Sequence, residues 1–190
     1  MIILKVVQPI RDKKKIEDMK KILKAGSLRD YCLFVMGINS GLRISDLLAL
    51  KISDVAENMK IKDRISLREK KTGKILDFPI GASSAKAIKE YLDTRDYNTD
   101  EYLFVSRKGH KPISNVQAWR ILSGAAESVG ITEPIGTHSL RKTFGYWAFK
   151  GGADITRIQK LLNHSSPGIT LAYIGITRDE LDDVYLNLNL

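Results

Sequence analysis

Three things are scarce in this chain of 190 residues, and each scarcity narrows its chemistry. Cys32 is the only cysteine, which excludes an intrachain disulfide and a thiolate metal cluster. It lies in the apolar run Tyr31-Cys32-Leu33-Phe34-Val35-Met36 and reads as an inert core residue. The three histidines lack carboxylates at ligand spacing, so a metal site is not expected. No apolar stretch approaches the ~20 residues that cross a bilayer. Met1-Ile2-Ile3-Leu4 is too short for a signal h-region. The expectation is a cytoplasmic protein with no membrane partner. Repeats, low-complexity tracts and linkers are absent too, which predicts one domain over residues 1–190.

Positive charge, by contrast, is plentiful. Lys and Arg number 31 against 22 acidic residues, for a net charge of +9. Such a balance fits a polyanionic partner, most often nucleic acid, or a merely soluble basic protein.

Residues 1–10 read as extended up to Pro9. From Arg11 to Lys24, Ile16, Met19, Ile22 and Leu23 recur at helical spacing. The run Lys13-Lys14-Lys15 at its start is either a solvated face or a phosphate contact. Gly26 ends this helix and Ser27 caps a second, roughly Leu28 to Ile38, apolar on most sides and therefore central. Beyond the break at Asn39-Ser40-Gly41, Leu42 to Leu50 reads as another helix. Arg43 stands beside its N-terminus, where unpaired N–H groups suit an anion; a surface arginine near Asp46 is the alternative.

Between residues 55 and 80 the period changes. Lys60 to Leu67 alternates, Lys70-Lys71-Thr72-Gly73-Lys74 turns, and Ile75 to Pro79 returns, which predicts a small antiparallel sheet. Lys71 at its tip serves either solubility or delivery of a cation or proton into a cleft. Pro79 marks an edge or a strand end. A helix through Leu92, a buried segment at Tyr102–Val105 and a basic loop with Arg107, Lys108, His110 and Lys111 follow. Ser114 caps a helix to about Val129.

Residues 137–173 carry the most distinctive pattern. His138 and Arg141 share a helix face. Leu140, Phe144, Trp147 and Ala148 form that helix's buried stripe, so Trp147 reads as core. Asp154 caps the next helix, and His164 follows its C-terminal end, where the dipole favours a cationic imidazole. Pro167-Gly168 opens a short helix bearing Tyr173. A guanidinium, two imidazoles and a phenol in a basic protein point to chemistry on a phosphate. Arg offers a planar fork for the oxygens and stays charged. Thr177 caps a last amphipathic helix, and the apolar tail Leu186–Leu190 docks either in cis or on a neighbouring subunit.

Taken together, these motifs resemble the catalytic domain of the tyrosine recombinase (phage integrase) family over roughly residues 10–185. The family's first arginine block is matched by Gly41-Leu42-Arg43-Ile44-Ser45-Asp46, and its hairpin lysine by Lys71. Its His-x-x-Arg box is matched by His138-Ser139-Leu140-Arg141, its downstream histidine by His164 and its nucleophile by Tyr173. Asn163 stands where the family usually has glycine. The resemblance implies a mainly α fold with a small three-stranded antiparallel β-sheet (α+β), of the DNA breaking-rejoining catalytic-domain type. It also implies a chain without the usual N-terminal core-binding or arm-binding domain.

The function so implied is site-specific recombination of double-stranded DNA, for integration or excision of a mobile element, without metal or other cofactor. Arg43, Arg141 and His164 would hold the phosphate, and Tyr173 would form a 3′-phosphotyrosyl link. His138 would act as base and Lys71 as acid. Asp46 would orient an arginine or lysine, and Lys70, Lys74, Arg107, Lys108 and Lys111 would contact DNA. Dimers or tetramers on DNA, exchange of residues 177–190 and accessory DNA-bending proteins belong to the same expectation. The alternatives are relaxation in the manner of a type IB topoisomerase, a non-catalytic DNA-binding regulator, and a metal nuclease. The last lacks the carboxylate cluster its chemistry requires.

Overall fold

The computed structural model describes residues 6–188, so the expectations for residues 1–5 and for Asn189 and Leu190 lie outside the described residues. Asp12 caps α1 (Lys13–Gly26) by accepting from the N–H groups of Lys14 and Lys15, and Ser27 caps α2 (Leu28–Ser40). Gly41, at φ 63°, ends α2 in the left-handed conformation that glycine adopts without strain. Residues 32–37 of α2 are all buried, so this helix needs neighbours on every side. It finds them in α1, α5 (Ala82–Leu92) and α7 (Thr137–Lys150). Cys32 lies in that core, where burial pushes its thiol pKa up.

The remaining described helices are α3 (Ile44–Leu47), α4 (Ile52–Val55), α6 (Asn115–Ser128), α8 (Ile155–Leu161), α9 (Pro167–Ile174) and α10 (Arg178–Leu188). The strands are β1 (Ala56–Glu57), β2 (Lys60–Ile61), β3 (Arg64–Arg68) and β4 (Ile75–Pro79). The fold is mainly helical with small antiparallel sheets, but the expected three-stranded sheet does not form. β1 pairs with β2 and β3 with β4, as two separate sheets. Asn58 and Met59 both take positive φ, 50° and 61°, the twist of a two-residue hairpin, so Lys60 folds back on Glu57. The chain then bends at Asp63 before β3. One alternating run in sequence is therefore two strands in different sheets. In the second hairpin Ile65 pairs with Phe78 and Leu67 with Leu76, and Pro79 closes the end of β4 opposite Arg64.

A smaller apolar cluster of Tyr146, Ile158, Leu162 and Ile174 joins α7, α8 and α9. Trp147 packs against both clusters, and its indole N–H donates to the Ile10 carbonyl at 2.9 Å. The segment before α1 is sewn to the same region. The Gln8 amide donates to the Pro134 carbonyl (2.9 Å) and the Ile10 amide to Thr143 Oγ1 (2.8 Å). The Arg11 guanidinium donates to the Gly175 carbonyl just past α9 (2.7 Å). α10 starts with Glu180 accepting from Tyr146 Oη at 2.9 Å and pairing with Lys150, whereas Tyr185, Leu186 and Leu188 are exposed. No helix among the described residues is long and apolar enough to cross a membrane.

Gly145 sets how closely α7 approaches the helix that bears Tyr173. A Cβ there would meet Ile174 Cγ2 at 2.6 Å and Leu162 Cδ1 at 3.2 Å. Gly145→Ala is therefore expected to cost about 1–3 kcal/mol through overpacking. In urea titrations the midpoint should fall with the slope unchanged.

Candidate active site

The site forms where α7 crosses the ends of α2 and α8. Arg141 is 4% exposed, a burial tolerable for a guanidinium only with partners in place. It donates through Nη1 to the Gly41 carbonyl at 2.5 Å and through Nη2 to the Leu162 carbonyl. Both are carbonyls at helix ends, where the helix supplies no donor. Burial lowers its pKa, Arg43 lowers it further, and Tyr173, Glu69 and Asp46 oppose. It remains a cation at any working pH.

Arg43 occupies the N-cap position of α3, in extended conformation. The expected anion site at a helix N-terminus is not what holds it, because α3 has only four residues and little dipole to offer. Its partner is the carboxylate of Glu69, which is 1% exposed at the end of β3. Glu69 also accepts from Thr72 Oγ1 and, at 3.2 Å, from Asn163 Nδ2. Burial pushes its pKa up, but Thr72, Arg43, Asn163 and Arg141 together outweigh this and hold it below the usual carboxylate value. Asp46 accepts from the Lys70 amide at 2.9 Å, so its described contact is with main chain at the hairpin rather than with a cationic side chain.

His164 and Tyr173 stack edge to face, with centroids 4.8 Å apart. Gln159 clamps the histidine's backbone: the His164 amide donates to its carbonyl, and Gln159 Nε2 donates to the His164 carbonyl. His164 Nδ1 lies 3.2 Å from Thr170 Oγ1, and that hydroxyl donates to the Ser166 carbonyl at 3.1 Å. The hydroxyl proton being committed, Thr170 accepts from Nδ1–H, which leaves Nε2 as the lone-pair nitrogen of the neutral ring. The cationic imidazole expected at the end of α8 is not favoured. Burial lowers the His164 pKa, and Arg141 and Arg43 lower it further, outweighing the dipole of a seven-residue helix.

Tyr173 is pushed above the usual phenol pKa by burial, while Arg141 and Arg43 pull it back. Lys142 Nζ lies 5.0 Å from the centre of its ring. Lys142 is itself buried; burial and then Arg11 lower its pKa. His138 is exposed on the first turn of α7, yet partial desolvation lowers its pKa, as do Lys142, Arg141 and Lys71. Lys71 is exposed on the turn between β3 and β4.

Arg43, Arg141, His164 and Tyr173 thus converge, with His138 and Lys71 at the margin. Lys70 and Lys74 share the Lys71 turn, and Lys74 Nζ donates to Asn163 Oδ1 at 2.8 Å. The basic loop lies elsewhere. Val105, at its base, accepts from Arg29 near the start of α2, whereas Arg43 follows the end of that helix. The 13 residues of α2, roughly 20 Å of helix, separate Arg107, Lys108, His110 and Lys111 from the phosphate-competent cluster.

Glu69, Lys142 and Thr170 were not among the residues predicted. Ile65, Leu67 and Glu69 share one face of an alternating strand, so a carboxylate at an inward position was a readable sign of a buried partner. Lys142 is four residues from His138, on the same helix face.

Residues 11–180 match the sequence pattern of the Phage integrase family. The chain belongs to that family. This phage integrase family member is 48% identical over 180 residues to the probable integrase/recombinase YoeC of Bacillus subtilis (strain 168), covering 95% of this chain and 96% of YoeC. The XerA recombinase crystal structure superposes with a TM-score of 0.77 at 26% identity, over 96% of this chain and 66% of that one. The XerH site-specific recombinase, bound to palindromic difH substrate in a post-cleavage complex, shares the fold with a TM-score of 0.74 at 19% identity. The alignment covers 94% of this chain and 52% of XerH. The chain likewise spans only 52% to 60% of the length of curated tyrosine recombinases that it matches at 33% and 28% identity.

Both His138 and His164 have folded pKa values below the ordinary 6.5. The fold therefore favours their neutral rings, a contribution fully present above about pH 6.5 and lost as pH falls through the lowered folded values. Ring-proton NMR titration of the DNA-free protein should give midpoints below 6.5 for both. Nitrogen shifts should report an Nδ1–H tautomer for His164.

Proposed function

We propose that this chain cleaves and rejoins double-stranded DNA through a 3′-phosphotyrosyl intermediate, as a site-specific recombinase that integrates or excises a mobile element. The observation that carries the reading is the convergence of two guanidinium groups on a half-buried phenol packed against an imidazole. The net charge of +9 supports a DNA partner, as do relatives named recombinases and a fold neighbour held on its DNA substrate.

A DNA phosphodiester resists attack because it is anionic and its alkoxide leaves badly. Arg141 uses two of its five N–H groups on Gly41 and Leu162, which leaves 5 − 2 = 3 for the phosphate. Arg43 adds a second fork. His164 donates from Nε2 only as imidazolium, since Nδ1–H is committed to Thr170; the arriving anion supplies the pKa rise that requires. Each such donor is worth about 3–4 kcal/mol in the transition state. Tyr173 Oη attacks phosphorus and gives its proton to His138, neutral at pH 7. The P–O5′ bond breaks, and Lys71 protonates the departing 5′-oxygen. The phosphotyrosine conserves the bond energy, so attack by another 5′-hydroxyl completes exchange without cofactor or ATP.

We also assign Lys70, Lys74, Arg107, Lys108 and Lys111 to DNA phosphates, the last three at a second contact remote from the chemistry. The exposed Tyr185, Leu186 and Leu188 of α10 offer an apolar surface to a neighbouring subunit in a DNA-bound dimer or tetramer. One domain over residues 1–190 remains our reading of the organisation.

The test is covalent trapping on nicked duplexes drawn from the DNA flanking the coding sequence, in EDTA, read on a denaturing gel. Wild type should yield a slow protein–DNA band and Tyr173→Phe none, with DNA binding retained. Lys71→Ala should slow the adduct by about 10²–10⁴. An adduct from Tyr173→Phe would remove the nucleophile assignment. Binding without any adduct would favour a non-catalytic regulator.

A further inference from the structure

Between the Lys71 hairpin and the His164 turn runs a continuous chain of polar contacts that the proposed chemistry does not use. Lys74 Nζ donates to Asn163 Oδ1 at 2.8 Å, and Asn163 Nδ2 donates to Glu69 Oε2 at 3.2 Å. Thr72 Oγ1 donates to the same oxygen, and Glu69 Oε1 takes Arg43. Every donor meets an acceptor, and the amide of Asn163 fits in one orientation only: its nitrogen toward a carboxylate, its oxygen toward an ammonium. The carboxylate at the centre is 1% exposed, so a bond lost there leaves a costly gap.

Asn163 holds this place at φ 48°, a left-handed conformation that asparagine tolerates better than most residues and glycine better still. A glycine there would relax the backbone and delete the bridge. The side chain therefore does something that the backbone alone does not ask of it. It joins β3 and its turn to the residue directly before His164.

We propose that Glu69 and Asn163 are positioning residues that fix Arg43, the Lys71 turn and the His164 turn in one frame. Glu69 holds the Arg43 guanidinium through one oxygen and is tied to the His164 turn through the other. The frame has an electrostatic signature. A carboxylate beside the phosphate position lowers the local positive potential, so neutralising it should favour DNA binding while loosening the geometry that speeds cleavage. A residue serving stability alone would not separate the two in opposite directions.

The effect on cleavage rests on the recombinase reading, but the frame itself does not, and two measurements keep them apart. The first is hydrogen exchange on the DNA-free protein, following the Glu69 and Gly73 amides, which bond across the turn to Lys74 and Glu69 carbonyls. In Asn163→Gly and in Glu69→Gln these amides should exchange about tenfold faster, with the core amides of α2 unchanged. Unchanged turn amides in both variants would overturn the proposal whatever the DNA chemistry. The second is single-turnover adduct formation. Each variant should cleave about tenfold more slowly, with DNA affinity unchanged for Asn163→Gly and tighter for Glu69→Gln. The double variant should lose no more than the worse single one, because both act through one network. Multiplicative losses, wild-type rates or a parallel loss of affinity would each reject the frame. If wild type itself forms no adduct, the recombinase reading fails and the exchange result alone decides.

Discussion

A single buried cation holds this structure's working parts together. Arg141 projects from α7 into a space closed by the ends of α2 and α8, and the carbonyls of Gly41 and Leu162 accept from it. A guanidinium removed from water costs several kcal/mol unless its N–H groups are met. Helix-end carbonyls face a similar penalty if they are buried without donors. Each satisfies the other, and the positions of three helices are fixed by the exchange. Arg43 lies two residues from one of those carbonyls and His164 two residues from the other. The side chains proposed for phosphate binding are thus built around the same bonds that close the core.

The charge around this cation is graded. Arg43, Arg141, Lys142 and Lys71 supply positive field, and Glu69 and Asp46, both buried, offset part of it. The result is visible in the neighbours. Two histidines are held neutral, and a phenol that burial would make a very weak acid is pulled back by two arginines. A neutral ring is the state in which His138 could take up the proton proposed to leave Tyr173, and the positive field would stabilise a phenolate there.

Much of this was legible from residue spacing. Helix caps at Ser27, Ser114 and Asp154, the apolar run of α2 and the hairpin that carries Lys71 follow from local chemistry, which tertiary packing did not override. What escaped was non-local. The run from Lys60 to Leu67 alternates without a break, and only the positive φ values at Asn58 and Met59 reveal that its first part belongs to another hairpin. Arg43 seemed placed for a helix dipole, yet its partner lies 26 residues away, just past the end of β3. Nor does local spacing show how far the basic loop at Arg107 lies from Arg43, a distance set by the length of α2.

The segment from Gln8 to Arg11 has no regular structure, yet it is stitched to the Pro134 carbonyl, to Thr143 and Trp147 of α7, and to the carbonyl of Gly175. Gly175 is two residues past Tyr173. The strap is therefore a mechanical lead toward the phenol: tension or torque applied ahead of Gln8 reaches the end of α9 through Ile10, anchored in the core, and Arg11, bonded to Gly175. Anything joined at that end of the chain is joined, in effect, to the helix that carries Tyr173.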